Sequence, residues 1–208
     1  MERAVAGSLT KWTITYTVGR YGIDDKGAVL LVQRDVTDME RPQLKDPRKS
    51  GYLKVETTGN VRLEIKFQER IYIRPWRSGI LVRIHDGALR EGDKIIFKFG
   101  IGKYSPGSRI QTFREKKHIF KILVDPFGTG RYMELEESPS IEIIGGPPTR
   151  LEITAPSIIR IDEPITILLR FLDAYGNPSH RHQDTIILSA TDNRAEMPRR
   201  LKFKGGEW

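Results

Sequence analysis

Residues 165–178 read ITILLRFLDAYGNP, and this stretch decides the fold. Ile165, Ile167, Leu169 and Phe171 occupy every second position, the spacing at which the side chains of an extended chain fall on one face. Asp173, Tyr175, Gly176, Asn177 and Pro178 then supply the residues that turn a chain at the end of a strand. The stretch therefore predicts a strand of a β-sandwich. Only 30 residues follow it, too few to complete such a module.

Working outward, the same period recurs along the chain. Trp12, Ile14, Tyr16 and Val18 alternate with threonines, and Val61, Leu63, Ile65 and Phe67 alternate with Arg62, Glu64 and Lys66. Further strands are expected at Ala28 to Val32, Leu53 to Thr57, Ile71 to Arg74, Ile80 to His85, Lys94 to Phe99, His118 to Val124 and Ile141 to Ile144. Turn signals such as Thr58-Gly59-Asn60, Asp86-Gly87 and Glu91-Gly92-Asp93 separate them. No window sustains the apolar stripe of a helix. The fold class expected is all-β, built as two immunoglobulin-like β-sandwich modules in tandem.

The run Gly145-Gly146-Pro147-Pro148 marks the expected boundary, because glycines loosen the backbone and prolines fix an extended path without donors. Residues 1–146 form the first expected domain and 147–208 the start of a second. Strands of the second are read at Arg150 to Thr154, Ile158 to Ile161, Ile165 to Phe171 and Asp184 to Ala190, with a fifth beginning at Leu201 to Phe203. A full sandwich of this type takes about 7 strands and about 100 residues. Trp208 is therefore expected to be an artificial or proteolytic end, with the module left incomplete.

Composition narrows the chemistry. With no cysteine, the chain has no disulfide, thiol nucleophile or Cys-bearing zinc site. No apolar run is long enough for a signal-peptide core or a membrane span, so a cytoplasmic chain with no membrane partner is expected. The net charge of +8 is concentrated early: residues 1–146 hold 26 Lys and Arg against 19 Asp and Glu, while residues 149–208 hold 9 against 8. Charge so mixed reads as a solvated surface before it reads as a polyanion site. Twenty-four isoleucines beside three asparagines and five glutamines suit a thermophile.

Several ordered segments carry a resemblance. Trp12 to Asp24 (WTITYTVGRYGID), Arg74 to Arg77 (RPWR), Asp86 to Asp93 (DGALREGD), Val124 to Tyr132 (VDPFGTGRY) and Gly146 to Leu151 (GPPTRL) are similar to the N-terminal region of the domain of unknown function 3604 family. Members of that family pair such a region with a C-terminal domain resembling metal-dependent PHP phosphoesterases and amidohydrolases. The resemblance implies that this chain is the non-catalytic, accessory part of a larger protein. Its implied partner is that C-terminal domain, whose metal ligands have no counterpart here; no cofactor is expected in this chain.

The candidate sites each have a plainer reading. Arg74, Trp76 and Arg77 place an indole between guanidiniums, a grouping able to stack a sugar or base and hold a phosphate, which makes a carbohydrate or polyanion binding module the alternative function. The plainer reading has Trp76 plugging the core at a turn while Pro75 blunts an edge. His180, His182 and Asp184 spell a possible metal cluster, disfavoured because it follows Gly176 to Ser179 on an expected loop and lacks further ligands. The basic strip Arg41, Lys45, Arg48 and Lys49 reads as a mobile surface loop. Gly100-Ile101-Gly102-Lys103 and Gly128-Thr129-Gly130-Arg131 lack the spacing of a phosphate loop and read as tight turns. No nucleophile elbow or facing carboxylate pair marks an enzyme.

Overall fold

In the computed structural model, which describes residues 3–179 and 185–202, every regular element is a β-strand. The strands pair antiparallel and gather into several small sheets. The described residues divide into two compact units: one holds residues 3–4, 8–111 and 116–142, the other residues 5–7, 112–115, 143–179 and 185–202.

The largest sheet lies in the first unit, in the order β12 (Met133–Glu134), β11 (Lys121–Asp125), β4 (Ala28–Gln33), β7 (Ser78–His85), β6 (Arg62–Gln68). Residues 28–32 form a continuous apolar run because β4 is central and buried on both faces. Register places Leu30 beside Leu81 and Leu123, and Ala28, Leu30, Val32, Leu81 and Leu123 form one cluster. Ile71, Tyr72, Trp76 and Tyr132 cover it. On the other face Val29, Leu31, Val82 and Ile122 are equally buried. A second sheet runs β3 (Trp12–Thr17), β8 (Lys94–Phe99), β5 (Leu53–Thr57). Its Trp12, Ile14, Leu53, Phe97 and Phe99 are buried, and Trp12 stacks on Phe99 with ring centres 4.9 Å apart.

Short strands complete the set: β2 (Leu9–Thr10) with β9 (Ser108–Arg109), and the order β1 (Arg3–Val5), β13 (Ser140–Ile144), β10 (Glu115–Ile119). The expected strand His118 to Val124 is two strands, β10 and β11, which join different sheets. The break falls at Phe120, which is buried and donates its N–H to Pro139 O at 2.9 Å. Ile71 to Arg74 is not a strand but part of a turn. Ile71 N–H bonds Arg77 O and Trp76 N–H bonds Ile73 O, each at 2.8 Å.

In the second unit β14 (Arg150–Thr154) pairs with β15 (Leu168–Leu172), and β16 (Thr185–Ile187) with β17 (Arg200–Lys202). Leu169 and Leu201 are buried together beneath Phe171, Ile186 and Leu188. The strand expected from Ile165 begins only at Leu168, because its register with β14 ends at Thr154 opposite Leu168. Ile158 to Ile161, expected as a strand, is an exposed bend with no partner strand. The turn after β15 is tightly bonded. Asp173 accepts from the N–H of Tyr175 at 2.9 Å, of Asn177 at 2.8 Å and of Gly146 at 2.8 Å, and from Asn177 Nδ2 at 2.9 Å. Asn177 Nδ2 also donates to Thr112 O, and Asn177 Oδ1 accepts from Arg114 N–H, both at 2.8 Å.

Gly145 and Gly146 lie inside this unit, and Gly145 serves a close approach of the backbone. A Cβ at Gly145 would stand 2.2 Å from Pro178 O, so only glycine fits there. Since no described element is helical, no helix is long and apolar enough to cross a membrane.

Candidate functional site

The Arg74 to Arg77 turn connects β6 to β7 and folds back over the outer face of the five-stranded sheet. Trp76 is half-buried against the Leu30 cluster, with Lys121 Nζ 4.9 Å and Arg34 Cζ 6.0 Å from its ring centre. Its ring is thus occupied by sheet and cations, an arrangement that stabilises the fold. Arg74 is exposed, and Pro75 O accepts the Asp35 N–H at 2.8 Å. That bond holds Asp35 near Arg77, whose guanidinium lies 3.8 Å from its carboxylate.

Arg77 also borders a cleft of about 300 Å³ that contains Asp35, Arg41, Glu69 and Arg70 together with Gln33 and Ser78. Arg41 and Glu69 form an ion pair within it. Three guanidiniums against two carboxylates leave an excess of one positive charge, and the forked donors of arginine suit a phosphate or carboxylate ligand. In the sequence these groups lie apart: Arg77 in the aromatic turn, Arg41 in the basic strip and Arg70 in neither. The loop before β5, the end of β6 and the start of β7 bring them together, and no spacing in the sequence signals it.

The rest of the basic strip stays apart from the lining of this cleft. Its loop is organised by Gln43, which accepts the N–H groups of Lys45 and Asp46 at 2.9 Å each and donates to Asp46 O at 2.7 Å. The glycines at 128 and 130 turn the chain around Asp125. That buried carboxylate accepts from Thr129 N–H at 3.0 Å and Gly130 N–H at 2.6 Å, so these donors already have their anion.

His180, His182 and Asp184 lie outside the described residues. Among the described residues no group of three or more His, Cys, Asp or Glu is placed to hold a metal ion. His85 sits 3.2 Å from Glu64, whose carboxyl is held at about 2 by hydrogen bonds from Lys66 and His85. His118 is buried, its ring set edge-on to Phe120.

Comparison with protein-family models, with curated proteins and with solved structures finds no match.

A second feature bears on function. The second unit exposes large apolar side chains in number: Ile158 is 89% exposed, Ile161 87% and Ile187 74%, with Ile153, Ile159, Ile165 and Ile167 also open. Scattered surface isoleucines are ordinary, and here several of them fall within one short stretch, residues 153–167.

Proposed function

We propose that this chain is a non-catalytic accessory region, two β-sandwich modules of immunoglobulin-like type with the second incomplete by itself, that docks against a further domain of the same polypeptide. The proposed docking partner is a metal-dependent hydrolase-like domain of the kind found in the domain of unknown function 3604 family, whose N-terminal segments this chain resembles. One observation carries the reading: the isoleucines of the second unit, exposed over residues 153–167. Covering such side chains contributes about 25 cal/mol per Å² of apolar surface, enough for a stable interface at ordinary domain-docking areas.

The non-catalytic part of the reading is tested by assaying the purified 208-residue chain against phosphoester and amide substrates with manganese, zinc or iron. No turnover above buffer is expected. Metal-dependent hydrolysis by this chain overturns the reading.

A second reading has one observation in its favour, the arginine cleft. As a polyanion-binding module the chain would bind heparin or single-stranded nucleic acid with a salt-dependent affinity that Arg77→Ala and Arg70→Ala each weaken. Binding that is absent, or that ignores both substitutions, removes it.

A further inference from the structure

We propose that the outer edge of β3 is a binding site for an extended peptide segment of a partner protein, which joins the β3–β8–β5 sheet as a fourth strand. This site lies in the first unit and is independent of the docking surface on the second.

β3 is the end strand of its sheet. Its register with β8 runs from Trp12 opposite Phe99 to Thr17 opposite Lys94, and the next residue, Val18, donates its N–H to Asp93 O at 2.8 Å. Because bonded and non-bonded pairs alternate in an antiparallel ladder, Trp12, Ile14 and Tyr16 direct their backbone groups at β8. Thr13, Thr15 and Thr17 direct theirs the other way. The β5 side agrees: Thr58 N–H donates to Lys94 O at 3.1 Å, as this phase requires. Three N–H donors and three C=O acceptors thus stand along one edge at two-residue spacing.

Residues 12–17 contain no proline and no charge, two of the devices by which edge strands avoid pairing. It opens on a cleft of about 440 Å³ lined by all six residues of β3 and, beyond them, by Phe120, Ile122, Leu135, Glu137, Pro139 and Ile141. The far side does not pair with β3, because its backbone is engaged elsewhere. Leu135 N–H donates to Ile122 O at 3.3 Å, and Pro139 O accepts from Phe120 N–H at 2.9 Å. At one end lies Trp12, only 6% exposed, whose indole N–H has no hydrogen-bond partner.

These features define the occupant. Donors and acceptors at a two-residue period match an extended backbone and no sugar, helix or nucleotide. The cleft has two sides, so it admits a single strand; an edge of a second copy would bring its own neighbouring strands against residues 135–141. The lining is largely apolar and its one charged residue is Glu137, which asks for a segment with apolar residues at alternate positions and a lysine or arginine.

The test uses the whole 208-residue chain and an eight-residue peptide of alternating valine and threonine with one central lysine. Amide hydrogen exchange, followed residue by residue by NMR, is expected to slow about tenfold or more at Thr13, Thr15 and Thr17 as the peptide saturates the site. A peptide N-methylated at alternate amides is expected to leave exchange unchanged. Thr15→Pro removes an outward N–H that no ladder bond uses and is expected to weaken binding about tenfold or more, with Glu137→Lys weakening it as well. If Thr15→Pro fails to fold, the N-methylated peptide decides alone. The proposal is overturned if millimolar peptide slows none of the three amides, if the N-methylated peptide binds equally, or if the amides are protected without peptide in proportion to protein concentration, the mark of pairing between copies.

Discussion

At the scale of single residues, Asp173 shows how the turn after β15 is made. Burial alone would raise its carboxyl, but hydrogen bonds from Gly146, Asn177 and Tyr175 outweigh that and hold it below the ordinary aspartate range. Asp125 is held low in the same way by Thr129 and Gly130 against its burial. A carboxyl whose folded pKa lies below its unfolded value of about 3.9 contributes stability that is complete above that value and is lost as pH falls through the folded one. Thermal unfolding is therefore expected to be nearly constant from pH 7 to pH 5 and to drop below about pH 4. A midpoint unchanged down to pH 3 contradicts this. Asp173→Ala leaves the Gly146, Asn177 and Tyr175 donors without their acceptor and is expected to destabilise the second unit by about 2–3 kcal/mol, measured by denaturant unfolding. The sequence showed that Asp173 to Pro178 turns the chain. It did not show that the carboxylate reaches Gly146, which is 27 residues away and carries no side chain to signal the contact.

At the scale of elements, strands were legible where burial repeats with the period of the strand. β5, β8 and β14 match their expected ends, and β3, β4, β6 and β7 differ by only one or two residues, because each alternates or is continuously apolar. β1, β2, β9 and β12 were missed, since two or three residues cannot display a period. Ile158 to Ile161 and Ile165 to Ile167 were over-read for the opposite reason: they have strand composition but no partner strand. The arginine cleft was invisible in the sequence, being assembled from three segments. Two substitutions separate packing from binding. Leu30→Ala, at the centre of β4, is expected to cost about 2–5 kcal/mol of stability, whereas Leu151→Ala, on the exposed strand β14, is expected to cost under about 1 kcal/mol. Trp76→Ala is expected to lower the unfolding midpoint through loss of cover over the Leu30 cluster. If instead it removes polyanion affinity at unchanged stability, the structural role assigned to Trp76 is wrong.

At the scale of the whole molecule, two kinds of surface coexist in one all-β chain. The first unit buries most of its apolar side chains in its sheets and leaves Tyr21, Val36, Ile73 and Tyr104 among those open, while the second leaves a series of isoleucines open around the small Leu169 and Leu201 core. Ile158→Ser combined with Ile161→Ser is expected to leave the unfolding midpoint within about 1 kcal/mol of the parent and to reduce binding of an apolar dye. A large loss of stability would place these residues in the core instead of on a docking surface. If the second unit docks as proposed, residues 153–167 are covered by further protein in the native assembly. Amide exchange at Ile158 to Ile167, compared between the protein isolated from its source and the 208-residue chain, tests it most directly. Exchange at least about tenfold slower in the source protein is expected; equal exchange in the two means that no further protein covers these residues.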